Sequence, residues 1–302
     1  MAKSDKIETV QEMQDYIAAN ISGDAFSVQD VYEKFGYSKR NADRIFKELT
    51  GKTPAEYIRS IKLTRSAGQL LKGSAIIDVA LDTGFETHEG YTRAFSEVFG
   101  VPPKSYKNDH TPIPLFVPYS VRDYYSYINK KENTDMENKS AICTVTCVSR
   151  PERKLIVLRS KNGKDYWSFC EEMGCEWEGM LNSIPEKFDT AAFVELPEGM
   201  IKKGTSFAAA GVEVPAGYDV SKVPEGYDVI DLKPCHILYF QTEPFEKEED
   251  FGEAITAVFQ ALERYKPENY GYAFDPEIAP RFNFGAGAAI GAKLAAPVKK
   301  IS

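Results

Sequence analysis

The chain has 302 residues, 43% of them apolar and 27% charged, values that fit two globular domains each burying its own core. No apolar run is long enough to cross a bilayer and the opening residues, MAKSDKIETV, are polar, so a cytoplasmic protein with no membrane partner is expected. The net charge of −8 argues against a nucleic-acid partner only until it is divided by region. Residues 1–107 hold 15 basic and 15 acidic side chains, residues 140–302 hold 18 and 25, and residues 39–72 hold nine basic against three acidic. Phosphate responds to that local excess and not to the whole-chain sum. The five cysteines, Cys143, Cys147, Cys170, Cys175 and Cys235, lack paired spacing, and the histidines His88, His110 and His236 are scattered. Reduced thiols are therefore expected, with no metal site, disulfide framework or cofactor.

In chain order, Val10, Met13, Ile17 and Ile21 share one face of a first helix that Gly23 ends. Ser27 can cap a helix VQDVYEKFG, Gly36-Tyr37 turns the chain, and Ser38 caps KRNADRIFKELT. A longer helix is expected from Pro54 to Leu71, with Tyr57, Ile58, Ile61, Leu63, Ala67 and Leu70 on its buried side. The unit then recurs: IIDVALDTG, a turn at Gly84-Phe85, and THEGYTRAFSEVFG, with Arg44-Ile45-Phe46 answered by Arg93-Ala94-Phe95 about 50 residues later. Residues 108–140 read as a linker. Its proline and aromatic portion, PIPLFVPYS, is expected to wrap on a domain surface, and its charged tail NKKENTDMENKS to be flexible. Beyond it, strand text (ICTVTCVSRPERKLIVLRS), helix text (DYWSFCEEMGCEWEGMLNSI) and two further strands are followed by the same order again. The expected architecture is thus an all-α domain over 1–107 and an α+β domain over 141–302.

Several separated landmarks in residues 26–106 resemble the AraC/XylS family of transcription regulators. They are Ser38 with Arg44-Ile45-Phe46, Gly51 before Pro54, Ile58 and Leu63, IDVALDTGF from Ile77, and Arg93-Ala94-Phe95 followed by Gly100-Val101-Pro102-Pro103 and Tyr106. Tyr32, Ala42 and Lys107 depart from the usual pattern, which has a small residue, Leu and Arg there. The resemblance implies a double helix-turn-helix domain that binds double-stranded DNA at an asymmetric site. Its two recognition helices enter adjacent major-groove segments about one turn, ~34 Å, apart. By position in the motif, the outward candidates are Lys39, Arg40, Asp43, Arg44 and Lys47 in the first helix and Thr87, His88, Glu89, Thr92 and Arg93 in the second. An arginine fork can hold guanine O6 and N7, and Glu89 can accept from a cytosine amino group. A solvated helix face is the rival reading, most evenly balanced for Asp43 and Lys47.

Residues 142–300 resemble a GyrI-like effector-binding domain of two βαββ half-modules. The carrying residues are Tyr166-Trp167, the GCEWEGML stretch, GVEVP at 211–215, VPEGYDVIDL at 223–232 and PVKK at 297–300. The resemblance implies a regulator controlled by a small-molecule effector, with RNA polymerase as a further partner. Glu213 alternates with Val212 and Val214, and an acid among aromatic walls suits a lipophilic, cationic aromatic ligand. Glu195, Tyr166, Trp167, Trp177, Phe207 and Tyr272 are the other ligand candidates. The segment GAGAAIGAKLAAPVK departs from the family, which places an acid and an aromatic before the closing PVK, and leaves the final strand's pocket contacts in doubt. No catalytic set accompanies Glu213, so a non-enzymatic protein is expected. Hydrolysis of a reactive small molecule and a purely protein-docking second half stay open as alternatives.

Overall fold

The computed structural model describes residues 3–23, 26–122, 125, 143–245 and 250–301. It divides into two compact units, Met1–Asp135 and Met136–Ser302. The charged tail of the expected linker lies outside the described residues.

The first unit is helical: α1 (Lys3–Asn20), α2 (Val28–Phe35), α3 (Lys39–Thr50), α4 (Pro54–Leu71), α5 (Ile76–Asp82), α6 (His88–Phe99) and α7 (Pro103–Asp109). Local chemistry sets the boundaries. Ser38 Oγ accepts from Asn41 N ahead of α3 and Thr87 Oγ1 from Gly90 N ahead of α6, satisfying backbone donors that a helix start leaves open. Both helices stop at a left-handed glycine, Gly51 at φ 75° and Gly100 at φ 74°. Thr53 and Glu56 form a reciprocal cap on α4, whose first residue is Pro54.

Helix α4 serves two cores. Tyr57 and Ile58 pack with Val10, Met13, Ile17, Ile45 and Phe46, whereas Leu63, Ala67 and Leu70 pack with Val79, Tyr91, Phe95 and Tyr106. One continuous helix therefore carries both helix-turn-helix pieces, α2–α3 and α5–α6. Tyr32 occupies a buried site in the first core, and its hydroxyl donates to Asp43 Oδ1 at 2.9 Å, tying α2 to α3.

Residues 111–122, placed in the connecting stretch by sequence, belong to the first unit. Ile113 is buried in the second core and Val121 in the first. Two buried glutamines of α1 hold the strap: Gln11 Oε1 accepts from Ser120 Oγ and Arg122 N, and Gln14 Oε1 accepts from Val121 N.

The second unit is an antiparallel sheet with helices on it. Its elements are β1 (Cys143–Arg150), β2 (Arg153–Arg159), α8 (Tyr166–Met173), α9 (Glu176–Asn182), β3 (Ala192–Glu195), β4 (Ala208–Pro215), β5 (Asp228–Leu232), β6 (Cys235–Thr242), α10 (Phe251–Arg264), β7 (Tyr272–Phe274), β8 (Arg281–Gly287) and β9 (Gly291–Lys300). The strand order is β1-β6-β9-β8-β3-β4-β2-β5, with β7 on β9. Sequence text read as one amphipathic helix over 165–184 is two, because Gly174, at φ 75°, ends α8 with its N–H on Cys170 O.

Phe193, Asn283 and Leu294 are successive register partners across β3, β8 and β9 and so share one sheet face. Phe193 packs with Phe169, Trp177 and Leu181 of α8 and α9, and Leu294 packs with Ala254, Val258 and Leu262 of α10. All three helices thus cover the same face. The opposite face buries Leu155, Val157, Val194, Ile237, Phe282 and Ala295. Strand β4 is central and buried along nearly its whole length, so its polar residue, Glu213, had no water-facing side to occupy.

Candidate nucleic-acid interface and ligand cavity

Helices α3 and α6 repeat at a spacing of 49 residues: Ser38 and Thr87, Arg44 and Arg93, Phe46 and Phe95, Glu48 and Glu97, Gly51 and Gly100. Burying Ala42, Ile45, Phe46 and Leu49 turns Lys39, Arg40, Arg44 and Lys47 to the surface. Burying Tyr91, Ala94, Phe95 and Phe99 does the same for His88, Glu89 and Arg93, with Thr87 exposed as the cap. Arg93 is the most open of the two arginines, its side chain 80% exposed against 60% for Arg44. Arg44 Nη2 donates to Asn41 Oδ1 at 3.0 Å, and Glu48 lies one turn further on at 3.6 Å. Two outward expectations need correction. The Thr92 hydroxyl oxygen is enclosed by the fold, and Asp43 accepts from Tyr32; both follow the helix face that turns back toward the core.

Residues 31–109 match the helix-turn-helix domain family model. MarA, the multiple antibiotic resistance protein of Salmonella typhimurium, is 37% identical over 100 residues, which covers 33% of this chain and 78% of MarA. The chain belongs to the AraC-type helix-turn-helix family. This AraC-type protein is a sequence-specific DNA-binding transcription regulator of the MarA kind. It is also 39% identical over 83 residues to the transposon Tn10 TetD protein of Escherichia coli, covering 27% of this chain and 60% of that one. Among solved structures, SAV2435 bound to tetraphenylphosphonium is 16% identical, with 52% of this chain and 94% of that one covered and a TM-score of 0.34.

The second unit of the AraC-type chain holds a cavity of about 640 Å³ on the helix-covered side of its sheet. The strand β3 end and the β3–β4 connection supply Glu195, Glu198 and Phe207. The other half of the sheet supplies Phe259 and Glu263 from α10, Phe274 from β7, Glu277, Arg281 from β8 and Ala296 from β9. Four carboxylates thus face one guanidinium, and Arg281 Nη2 already donates to Glu195 Oε1 at 2.5 Å. Glu198, Glu263 and Glu277 have no ion-pair partner among the described residues. The final strand lines the cavity with the small side chains Ala296 and Pro297, leaving room where larger groups would fill it.

Of the expected ligand residues, the structure brings Glu195 and Phe207 to this cavity and sends the others elsewhere. Glu213 is corrected outright. It is buried, Arg153 Nε donates to its Oε1 at 2.5 Å, and Arg150 Nε lies 3.4 Å from its Oε2. Burial pushes its carboxyl above the ordinary carboxylate range while Arg153 and Arg150 pull it back down. Arg153 is fully enclosed and also donates to Pro151 O and Lys233 O. Lys293, Asp189 and Tyr239 extend the cluster: Lys293 Nζ meets Asp189 Oδ2 at 2.6 Å and sits 4.9 Å from the Tyr239 ring. Three cations around two carboxylates leave no negative charge for a cationic guest.

Tyr166, Trp167 and Trp177 lie in the α8–α9 layer. Tyr166 stands edge-on to Trp167 at 4.9 Å, and Trp177 is buried against Phe169 at 6.0 Å. Beside them is a carboxylate that sequence reasoning did not single out, Glu178, raised by burial alone. Tyr272 is half-buried on β7 with its ring 5.6 Å from His236. Sequence reasoning also missed Glu198, Glu263 and Glu277. No sequence signal singled them out: Pro197-Glu198 and Pro276-Glu277 are two of six Pro-Glu pairs in the second unit. Among the described residues no cluster of metal-ligating side chains occurs, and no helix is long and apolar enough to cross a membrane.

Proposed function

We propose that this AraC-type regulator reads base edges through Arg40, Arg44, His88, Glu89 and Arg93, and that a small effector in the second unit controls the reading. The second unit acts as a GyrI-like effector domain of two βαββ halves, and its ligand is a lipophilic aromatic cation. The observation that carries this reading is the cavity with Phe207, Phe259 and Phe274 on its walls and, on the same lining, three carboxylates with no ion-pair partner among the described residues. Rings and carboxylates together stabilise a desolvated organic cation, for which aromatic faces alone contribute ~0.5–2 kcal/mol each. Control follows because a ligand that prefers one arrangement of the chain shifts its population. The second unit is a sensor and not an enzyme: Glu213, the acid that would have positioned water, is held by two guanidinium groups.

The test is calorimetric titration of the full chain with methyltriphenylphosphonium. Saturable binding is expected, weakened ~3- to 10-fold by the double change Glu263→Gln with Glu277→Gln and left intact by Glu178→Gln. Equal affinity of wild type and the double variant would refute the site. DNA affinity that does not respond to saturating ligand would refute the control.

A further inference from the structure

The two recognition helices share a charge arrangement whose third member the 49-residue repeat does not supply. On α3, Glu48 lies one turn beyond Arg44 and also accepts from Lys6 Nζ of α1, at 2.8 and 3.0 Å. On α6, Glu97 lies one turn beyond Arg93, 4.0 Å from its Nε, and accepts from Arg59 Nη2 of α4 at 3.2 Å. Lys6 and Arg59 are not equivalent under the repeat, because the residues 49 positions after them are Ala55 and Asn108. Each recognition helix draws its second cation from a different neighbouring helix.

Stability does not account for the arrangement. Glu48 and Glu97 are 45% and 57% exposed, and exposed bridges of this kind contribute ~0–1 kcal/mol. Their effect is on position. Each helix has 12 residues, so it is about 18 Å long, against a major groove about 12 Å wide. With the first turns among the base edges, the last turn, where Glu48 and Glu97 sit, lies over the groove wall and its phosphates. Each trio carries two positive charges and one negative.

We propose that Lys6 and Arg59 are phosphate-binding residues, one for each groove segment, held beside the recognition helices by Glu48 and Glu97. The carboxylates keep each cation in place and at the same time weaken attraction to the backbone, which favours base contacts over indiscriminate binding. The inference rests on the placement of α3 and α6 in the major groove.

The experiment measures anisotropy of a labelled mixed-sequence 40-base-pair duplex with the full chain between 50 and 200 mM KCl. The slope of log K against log salt should become shallower by ~0.9 for Lys6→Gln and for Arg59→Gln, and by ~1.8 for both. Melting temperature should stay at the wild-type value in each. Glu48→Gln with Glu97→Gln should bind this duplex several-fold more tightly. Unchanged slopes in Lys6→Gln and Arg59→Gln overturn the inference even if affinity falls, because a structural role moves affinity without moving counterion release. A wild-type chain with no salt-dependent binding overturns both the inference and the groove placement beneath it.

Discussion

Replacing Arg153 with Met removes the guanidinium that faces Glu213 and keeps most of the apolar stem. The variant loses a buried 2.5 Å charge-assisted bond to Glu213 and the donors to Pro151 O and Lys233 O in the β1–β2 and β5–β6 connections. Removing one partner of a buried ion pair costs ~3–5 kcal/mol. Arg150 remains 3.4 Å from Glu213, so the lower end, ~3 kcal/mol, is expected. Both tryptophans, Trp167 and Trp177, lie in the second unit, and their fluorescence during urea unfolding reports that unit alone. At an m-value of ~2 kcal/mol per molar urea the midpoint should fall by ~1.5 M. The loss should deepen at higher pH, because burial already raises the Glu213 carboxyl and the unpaired acid must then be charged at greater cost. Adding Glu213→Leu should recover most of the loss, since an apolar pair of similar volume has no charge to desolvate. A shift below ~0.5 M for the single variant, or a double variant no more stable than the single, would refute the assignment of this pair as a compensated core ion pair.

Two further outcomes concern other parts of the chain. Arg93→Ala, at an exposed position of α6, should weaken specific DNA binding by ~1–3 kcal/mol and relax preference at one base pair; gel-shift titration at fixed salt with unchanged affinity would remove Arg93 from the interface. Glu178 is raised above its ordinary 4.5 by burial alone, so the folded chain holds that proton more tightly than the unfolded one. Stability tied to it is fully present below 4.5 and is lost as pH rises through the folded value. Glu178→Gln should therefore raise the melting temperature at pH 8 and lose that advantage toward pH 4, and equal effects at both pH values would count against the carboxylate.

The first unit was legible because its information is local. Caps at Ser38 and Thr87, stops at Gly51 and Gly100, and a buried stripe through Val10, Met13 and Ile17 are each written within a turn or two of sequence. The charge excess of residues 39–72 was likewise a sum over neighbours. Thr92 and Asp43 were misplaced because each sits where the polar face meets the buried one, and only the packed neighbours decide which way such a side chain turns.

The second unit shows the limit. Strand text, helix text and their repeated order foretold an α+β domain, and Glu195 and Phe207 both line its cavity. Glu213 was misread for a physical reason: alternation distinguishes core from water only when one face is wet, and β4 is buried on both. Its partners, Arg150 and Arg153, sit 60 or more residues away and meet it only through the pairing of β2 with β4 and the closure of the sheet. The cavity is equally non-local, drawing Glu198, Glu263 and Glu277 from three separate segments. The sequence by itself determined the helices, their caps and the two kinds of domain, because those depend on contacts between near neighbours. Tertiary structure alone decided which acids are neutralised and which stand open, because the cation that answers a buried carboxylate is chosen by strand register and not by spacing along the chain.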